Sequence, residues 1–118
     1  MKTQQRLKNY RRNRNCTLLC VGPMSKNCVD VSIELAEQYK APLMIIASRR
    51  QIDSEHFGGG YVENWSTKQF ADYVRSKDVN QNIILARDHG GPWQNELEKS
   101  QNMNLKDAMQ SAKNSYRA

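Results

Sequence analysis

Three short apolar runs set the frame of this chain: TLLCVG at residues 17–22, LMIIA at 43–47 and IILA at 83–86. None alternates apolar with polar positions as a strand with one wet face does. Blocks of this length suit strands covered on both faces, which is the condition of a parallel sheet. The residues between them repeat at helical spacing instead. From about 27 to 40, Cys28, Val31, Leu35, Ala36 and Tyr39 fall on one stripe, with Asp30 and Glu34 in the early turns where the helix dipole favours acids. Ser66 and Gln69 have the S-x-x-Q spacing of a capping box, and Phe70, Tyr73 and Val74 form the inward face of a helix to about 77. A third helix runs from about 104, with Leu105, Ala108, Met109, Ala112 and Tyr116 aligned.

Strand and helix therefore alternate at intervals of roughly thirty residues, the rhythm of βα crossover units around a parallel sheet. The fold class expected is α/β, three consecutive βα units. With 118 residues the chain is one domain or a piece of one. Three units leave two sheet edges unpaired, which points to the front part of something larger rather than a sandwich completed by self-association. The longest apolar run is about five residues, far below the roughly twenty that span a bilayer, so no membrane segment is expected. Cys16, Cys20 and Cys28 lack the paired spacing of a zinc site, and no signal peptide precedes them. They read as reduced thiols of a cytoplasmic protein, with Cys20 packed in the core.

The net charge of +6 is local. Residues 1–15 hold Lys2, Arg6, Lys8, Arg11, Arg12 and Arg14 and no acid, whereas the body from 16 to 118 is neutral. The first fifteen residues form a basic arm, either a solvated leader or a short helix ahead of the first strand. An interaction module whose arm binds nucleic acid or acidic protein is the competing functional class. Only Tyr10 is there to stack on bases and no basic track continues into the body, which argues against nucleic acid.

In parallel α/β folds the loops after the carboxyl ends of the strands open on one face, and ligands bind there. Asp88 and His89 stand at the end of the third strand, where a carboxylate can move a proton and an imidazole can hold a divalent metal. A cap and a satisfied polar residue are the plainer reading of the same pair. His56, in the loop after the second strand, could approach His89 as a second ligand. The glycines Gly58, Gly59 and Gly60 could cradle a phosphate, and Gly90 and Gly91 would let backbone approach a ligand closely. Arg49 and Arg50 leave the second strand either as phosphate ligands or as a solvated pair.

The blocks GPMSKNCVDVSIELAEQYKAPLMIIAS, FGGGY, STKQFADYV and NIILARDHGGPWQ, with a Gln-containing loop between the first two, carry a resemblance. They resemble the opening third of the tagatose-bisphosphate aldolase accessory-subunit family, which is related to the class II aldolases. The similarity extends from about Cys16 to Tyr116, and its most specific part is the D-H-x-G-P-x-W-like block at the strand end. It implies the first part of a (β/α)8 TIM barrel, with residues 16–118 as a partial barrel domain, and a role in carbohydrate metabolism. The substrate implied is a sugar phosphate, and the partner is a catalytic aldolase subunit or the missing remainder of the barrel. By motif, Asp88 takes the role of catalytic acid or base and His89 that of a zinc ligand; His56 joins them as a candidate ligand from its place in the loop after the second strand, not by motif. Arg49, Gln51, Gly59, Gly60, Gly90 and Gly91 form the substrate-facing set. The zinc ion would polarise a ketose carbonyl during aldol cleavage. The family's accessory subunits support a catalytic partner rather than turn over alone, and 118 residues are not expected to be active unaided.

Overall fold

The computed structural model describes residues 3–13 and 17–117. Its elements are α1 (Thr3–Asn13), β1 (Cys20–Val21), α2 (Lys26–Gln38), β2 (Leu43–Ser48), a 3-10 turn (Glu55–Phe57), α3 (Thr67–Lys77), β3 (Ile83–Asp88), α4 (Glu96–Ser100) and α5 (Leu105–Arg117). The strands form one parallel sheet in the order β1-β2-β3. Consecutive βα units in an α/β fold are thus present as the sequence predicts. The basic stretch contains a helix rather than a leader without structure, and Arg6 on it reaches Asn82 at 3.3 Å.

Helix starts follow local chemistry. The Ser25 hydroxyl accepts from the Cys28 amide at 3.2 Å to open α2, and Ser66 with Gln69 closes a reciprocal capping box on α3. Which face α2 buries differs from expectation. Val29, Ser32, Ile33 and Ala36 meet the sheet, whereas Val31, Leu35 and Tyr39 are exposed. Two apolar stripes overlap on this helix, and the one carrying the β-branched Val29 and Ile33 packs against Leu43, Ile45 and Ala47 of β2. Phe70 and Val74 of α3 complete that core, with Ile52 and Val62 from the intervening loop.

Coverage of the sheet is one-sided. Leu43, Ile45 and Ala47 are buried, while Met44, Ile46 and Ser48, pointing to the other face, are only half-buried. The unbroken apolar run therefore overstates how much of β2 this chain covers. Cys20, expected in the core, is exposed, its Sγ 3.7 Å from the Met44 Sδ. Cys28 is half-buried with a free thiol, and Cys16 lies outside the described residues. Strand β1 is shorter than the 17–22 run, because only Cys20 and Val21 pair with β2 before Gly22 and Pro23 break the ladder. On α5, Ala108, Ala112 and Ser115 are buried and Leu105, Met109 and Tyr116 are exposed, so its small residues, not its large ones, make the contact. No helix in the described residues is long and apolar enough to cross a membrane.

Candidate functional site

The register sets Ser48 of β2 level with Asp88 of β3, so the loops that follow leave the sheet side by side. One side chain ties them together. Arg49, wholly buried, sends Nε to Asp53 at 3.2 Å and Nη2 to Glu98 at 2.8 Å. Its Nη1 donates to the Gly91 carbonyl at 3.2 Å, across to the loop after β3. The Phe57 ring lies 5.5 Å from the guanidinium.

The two carboxylates are anchored in turn. Asp53 accepts from the Ser115 hydroxyl at 2.7 Å, the Asn95 amide at 2.8 Å and the Ser54 backbone at 2.7 Å. Glu98 accepts from Ser111 at 2.5 Å, while its Oε2 has no hydrogen-bond partner among the described residues. A second guanidinium lies close by. Arg87 donates to the Ile52 carbonyl, to Thr67 Oγ1 at 3.0 Å and to the Ser115 carbonyl at 3.4 Å. Burial pushes its pKa down, and the nearby Asp53 carboxylate pulls it back up. Charges this deep persist only when paired and hydrogen-bonded, so the cluster locks the β2 loop, α4 and α5 into one body.

The remaining substrate-facing expectations fall in and around this lock. Gln51 is buried: its Oε1 accepts from the Ser48 amide at 2.8 Å and its Nε2 lies 3.2 Å from the Met24 sulfur. Gly60 is pressed against its own loop, since a Cβ there would stand 2.0 Å from the Gln51 carbonyl oxygen. A Cβ on Gly59 would meet the Asn64 carbonyl at 2.2 Å, and one on Gly90 would meet the Tyr116 hydroxyl at 2.3 Å. Gly91 alone of the set has open space where a Cβ would be. Gly59 and Gly60 are thus placed for close packing of loop on loop and Gly90 for packing under Tyr116 of α5, while Gly91 presents its carbonyl to Arg49.

Asp88 and His89 are outside the lock and exposed. The Asp88 carboxylate accepts from the His89 backbone at 2.8 Å and lies 3.5 Å from the imidazole Nε2. His89 holds a left-handed backbone, φ +43°, a conformation that costs a non-glycine residue and turns the chain sharply at the strand end. Its side chain faces a hollow of about 360 Å³ lined by Ser48, Arg50 and Gln94 as well. His56 faces a different hollow, of about 300 Å³, with Ser54, Phe57, Met103 and Asp107 among its walls, and its ring packs on Phe57 at 5.0 Å. Among the described residues no three His, Cys, Asp or Glu side chains gather closely enough to hold a metal ion. A zinc site needs three or four protein ligands, so the donors among the described residues do not by themselves fit one.

Sequence reasoning missed Asn95, Glu98, Ser111 and Ser115, the partners of Arg49 and Asp53. The i,i+4 spacing of Arg49 and Asp53 was the available signal for half of the cluster. Helix α4, with five residues, is too short to show a period.

No family model matches this sequence, and no curated protein does. The fold is similar to the crystal structure of a probable tagatose 6 phosphate kinase from Sinorhizobium meliloti 1021, with a TM-score of 0.61 and 20% identity. The likeness covers 82% of this chain and 24% of that one, so the chain spans about a quarter of the length of the structure it matches. At that identity the likeness establishes the fold: an α/β arrangement of consecutive βα units shared with part of a longer protein.

Proposed function

We propose that this chain is the opening βα portion of a (β/α)8-type protein of carbohydrate-phosphate metabolism. In this reading it acts as a fragment or accessory subunit of a class II tagatose- or fructose-bisphosphate aldolase assembly. The observation that carries the proposal is the convergence of the β2 and β3 loops at the carboxyl ends of a parallel sheet, with Asp88 and His89 exposed at the exit. The resemblance of NIILARDHGGPWQ to the aldolase accessory family supports it, as does the likeness to a structure named for tagatose-phosphate chemistry. The Asp88 carboxylate holds or moves a proton at the strand end. His89 is one ligand of a zinc ion whose other ligands come from strands or a subunit beyond this chain.

The test is aldol cleavage of tagatose and fructose bisphosphates by a catalytic class II subunit, with and without this chain. The chain is expected to bind that subunit and raise its activity, and Asp88→Asn or His89→Ala to remove the gain. A chain that neither binds nor stimulates ends the reading.

A further inference from the structure

The hollow beside His89 has an uneven supply of hydrogen-bonding groups. Ser48 at the end of β2, Arg50 in the turn that follows, and His89 and Gln94 in the loop after β3 line it. All four side chains can donate. The Ser48 hydroxyl accepts from the Gln51 amide at 3.3 Å, and among the described residues its own proton goes to no partner. The Gln94 amide makes no hydrogen bond among the described residues. Among the described residues the Arg50 side chain pairs only with Glu96, through Nη2 at 2.7 Å, and both side chains are more than half exposed, so that pair is weakly held. The imidazole of His89 has the Asp88 carboxylate 3.5 Å away.

From these unspent donors we infer that the hollow is an oxyanion subsite that takes the phosphate of a phosphorylated ligand, with Arg50 as its charged anchor. The inference rests on the proposed function for the sugar carrying that phosphate, but its chemistry stands apart. Arginine presents a planar fork that matches phosphate oxygens two at a time, and the hydroxyl and amide supply neutral donors from two further directions. A volume of about 360 Å³ leaves room for the phosphate and the part of the ligand attached to it. Arg49 is excluded from this role by its burial and by Asp53 and Glu98, so two adjacent arginines divide the work. Glu96 competes with the anion for Arg50, and Asp88 flanks His89. These two carboxylates set an electrostatic cost that a bound phosphate must overcome.

Titration of the full chain with inorganic phosphate, followed by calorimetry and by the shift of the Gln94 side-chain amide resonance, tests the inference. Binding is expected, weakened about tenfold by Arg50→Gln, as for the loss of one charge-assisted contact. Glu96→Gln, which frees Arg50, is expected to tighten it several-fold. Both positions are exposed, so neither change is expected to disturb the fold. Absence of phosphate binding by the wild-type chain overturns the inference, and so does equal binding by Arg50→Gln. Phosphate binding without any effect on a catalytic aldolase subunit upholds the subsite while removing the aldolase reading.

Discussion

Arg49 and Arg50 follow one another in the chain and live in different solvents. Arg49 is wholly buried against Asp53 and Glu98, whereas the Arg50 side chain is 57% exposed beside a hollow that opens to water. Both stand in the tight turn that follows β2, where the Gln51 and Ile52 amides return to the Ser48 carbonyl, and the turn leaves one inside and the other in water. The difference teaches that one pair of like charges can serve as both lock and contact, and that residue type alone does not say which. In the buried member the free energy is in the pairing. Removing one partner strands the others in a medium that cannot solvate them, while trimming the exposed member returns a solvated group to water.

The largest expected effect breaks the inner half of that comparison. Arg49→Leu leaves two buried carboxylates without their cation, and a loss of about 3–5 kcal/mol is expected in urea denaturation, enough to prevent folding of a marginal domain. Glu98→Gln keeps the volume and is expected to be milder, because Asp53 still balances Arg49 and one oxygen of Glu98 is unpaired already. Arg50→Gln is expected to change stability by no more than about 0.5 kcal/mol. Equal losses at Arg49 and Arg50 would show that the buried cluster is not what holds the loops.

The glycines sharpen the same contrast one step down. Gly60→Ala places a methyl 2.0 Å from the Gln51 carbonyl oxygen, so the loop must shift, at an expected cost of about 2 kcal/mol. Gly91→Ala meets nothing within 4 Å and is expected to fall within about 0.5 kcal/mol of the wild type. Thermal unfolding of the two variants side by side reads the difference. Comparable losses would mean that the loop after β3 is packed as tightly as the loop after β2.

How much of this was legible in the sequence depends on the range of the interaction. The capping box at Ser66 and Gln69 and the helix it opens rest on neighbours in the chain and stand where the spacing puts them, and each of the three apolar runs holds a strand, though β1 keeps only Cys20 and Val21 of its run. The face of α2 was misjudged because Val31, Leu35 and Tyr39 are as apolar as the residues that pack, and only the position of the sheet chooses between the stripes. At the site, Asp88 and His89 were visible as a pair at a strand end. The fate of Arg49 was not, because Glu98 and Ser111 approach it, and Ser115 approaches its partner Asp53, from elements far along the chain. Gln94 likewise lines one hollow with Arg50, and no spacing connects the two.

A third cluster of charges, between α2 and α3, stands between the buried and the exposed arginine, with the Asp30 side chain 20% exposed against 57% for Arg50, and the effect expected of it is small. The Tyr73 hydroxyl donates to Asp30 at 2.5 Å, and Lys77 and Lys26 approach the same carboxylate at 2.9 and 3.3 Å. The Tyr73 hydrogen bond first, and the two ammonium groups after it, hold the Asp30 pKa down at about 2, against an ordinary 3.8. A carboxyl group with a depressed folded-state pKa stabilises the fold fully above its unfolded value, and that contribution fades as the pH drops toward the folded value. The loss is therefore expected between about pH 4 and pH 2. Because the cluster faces solvent, screening limits it to about 1 kcal/mol. Asp30→Asn should lower the urea midpoint at pH 6 by that small amount and flatten its decline between pH 4 and 2.5. A variant as stable as the wild type at pH 6, with the same decline in acid, would mean that α2 and α3 are joined by the packing of Val29, Phe70 and Val74 alone.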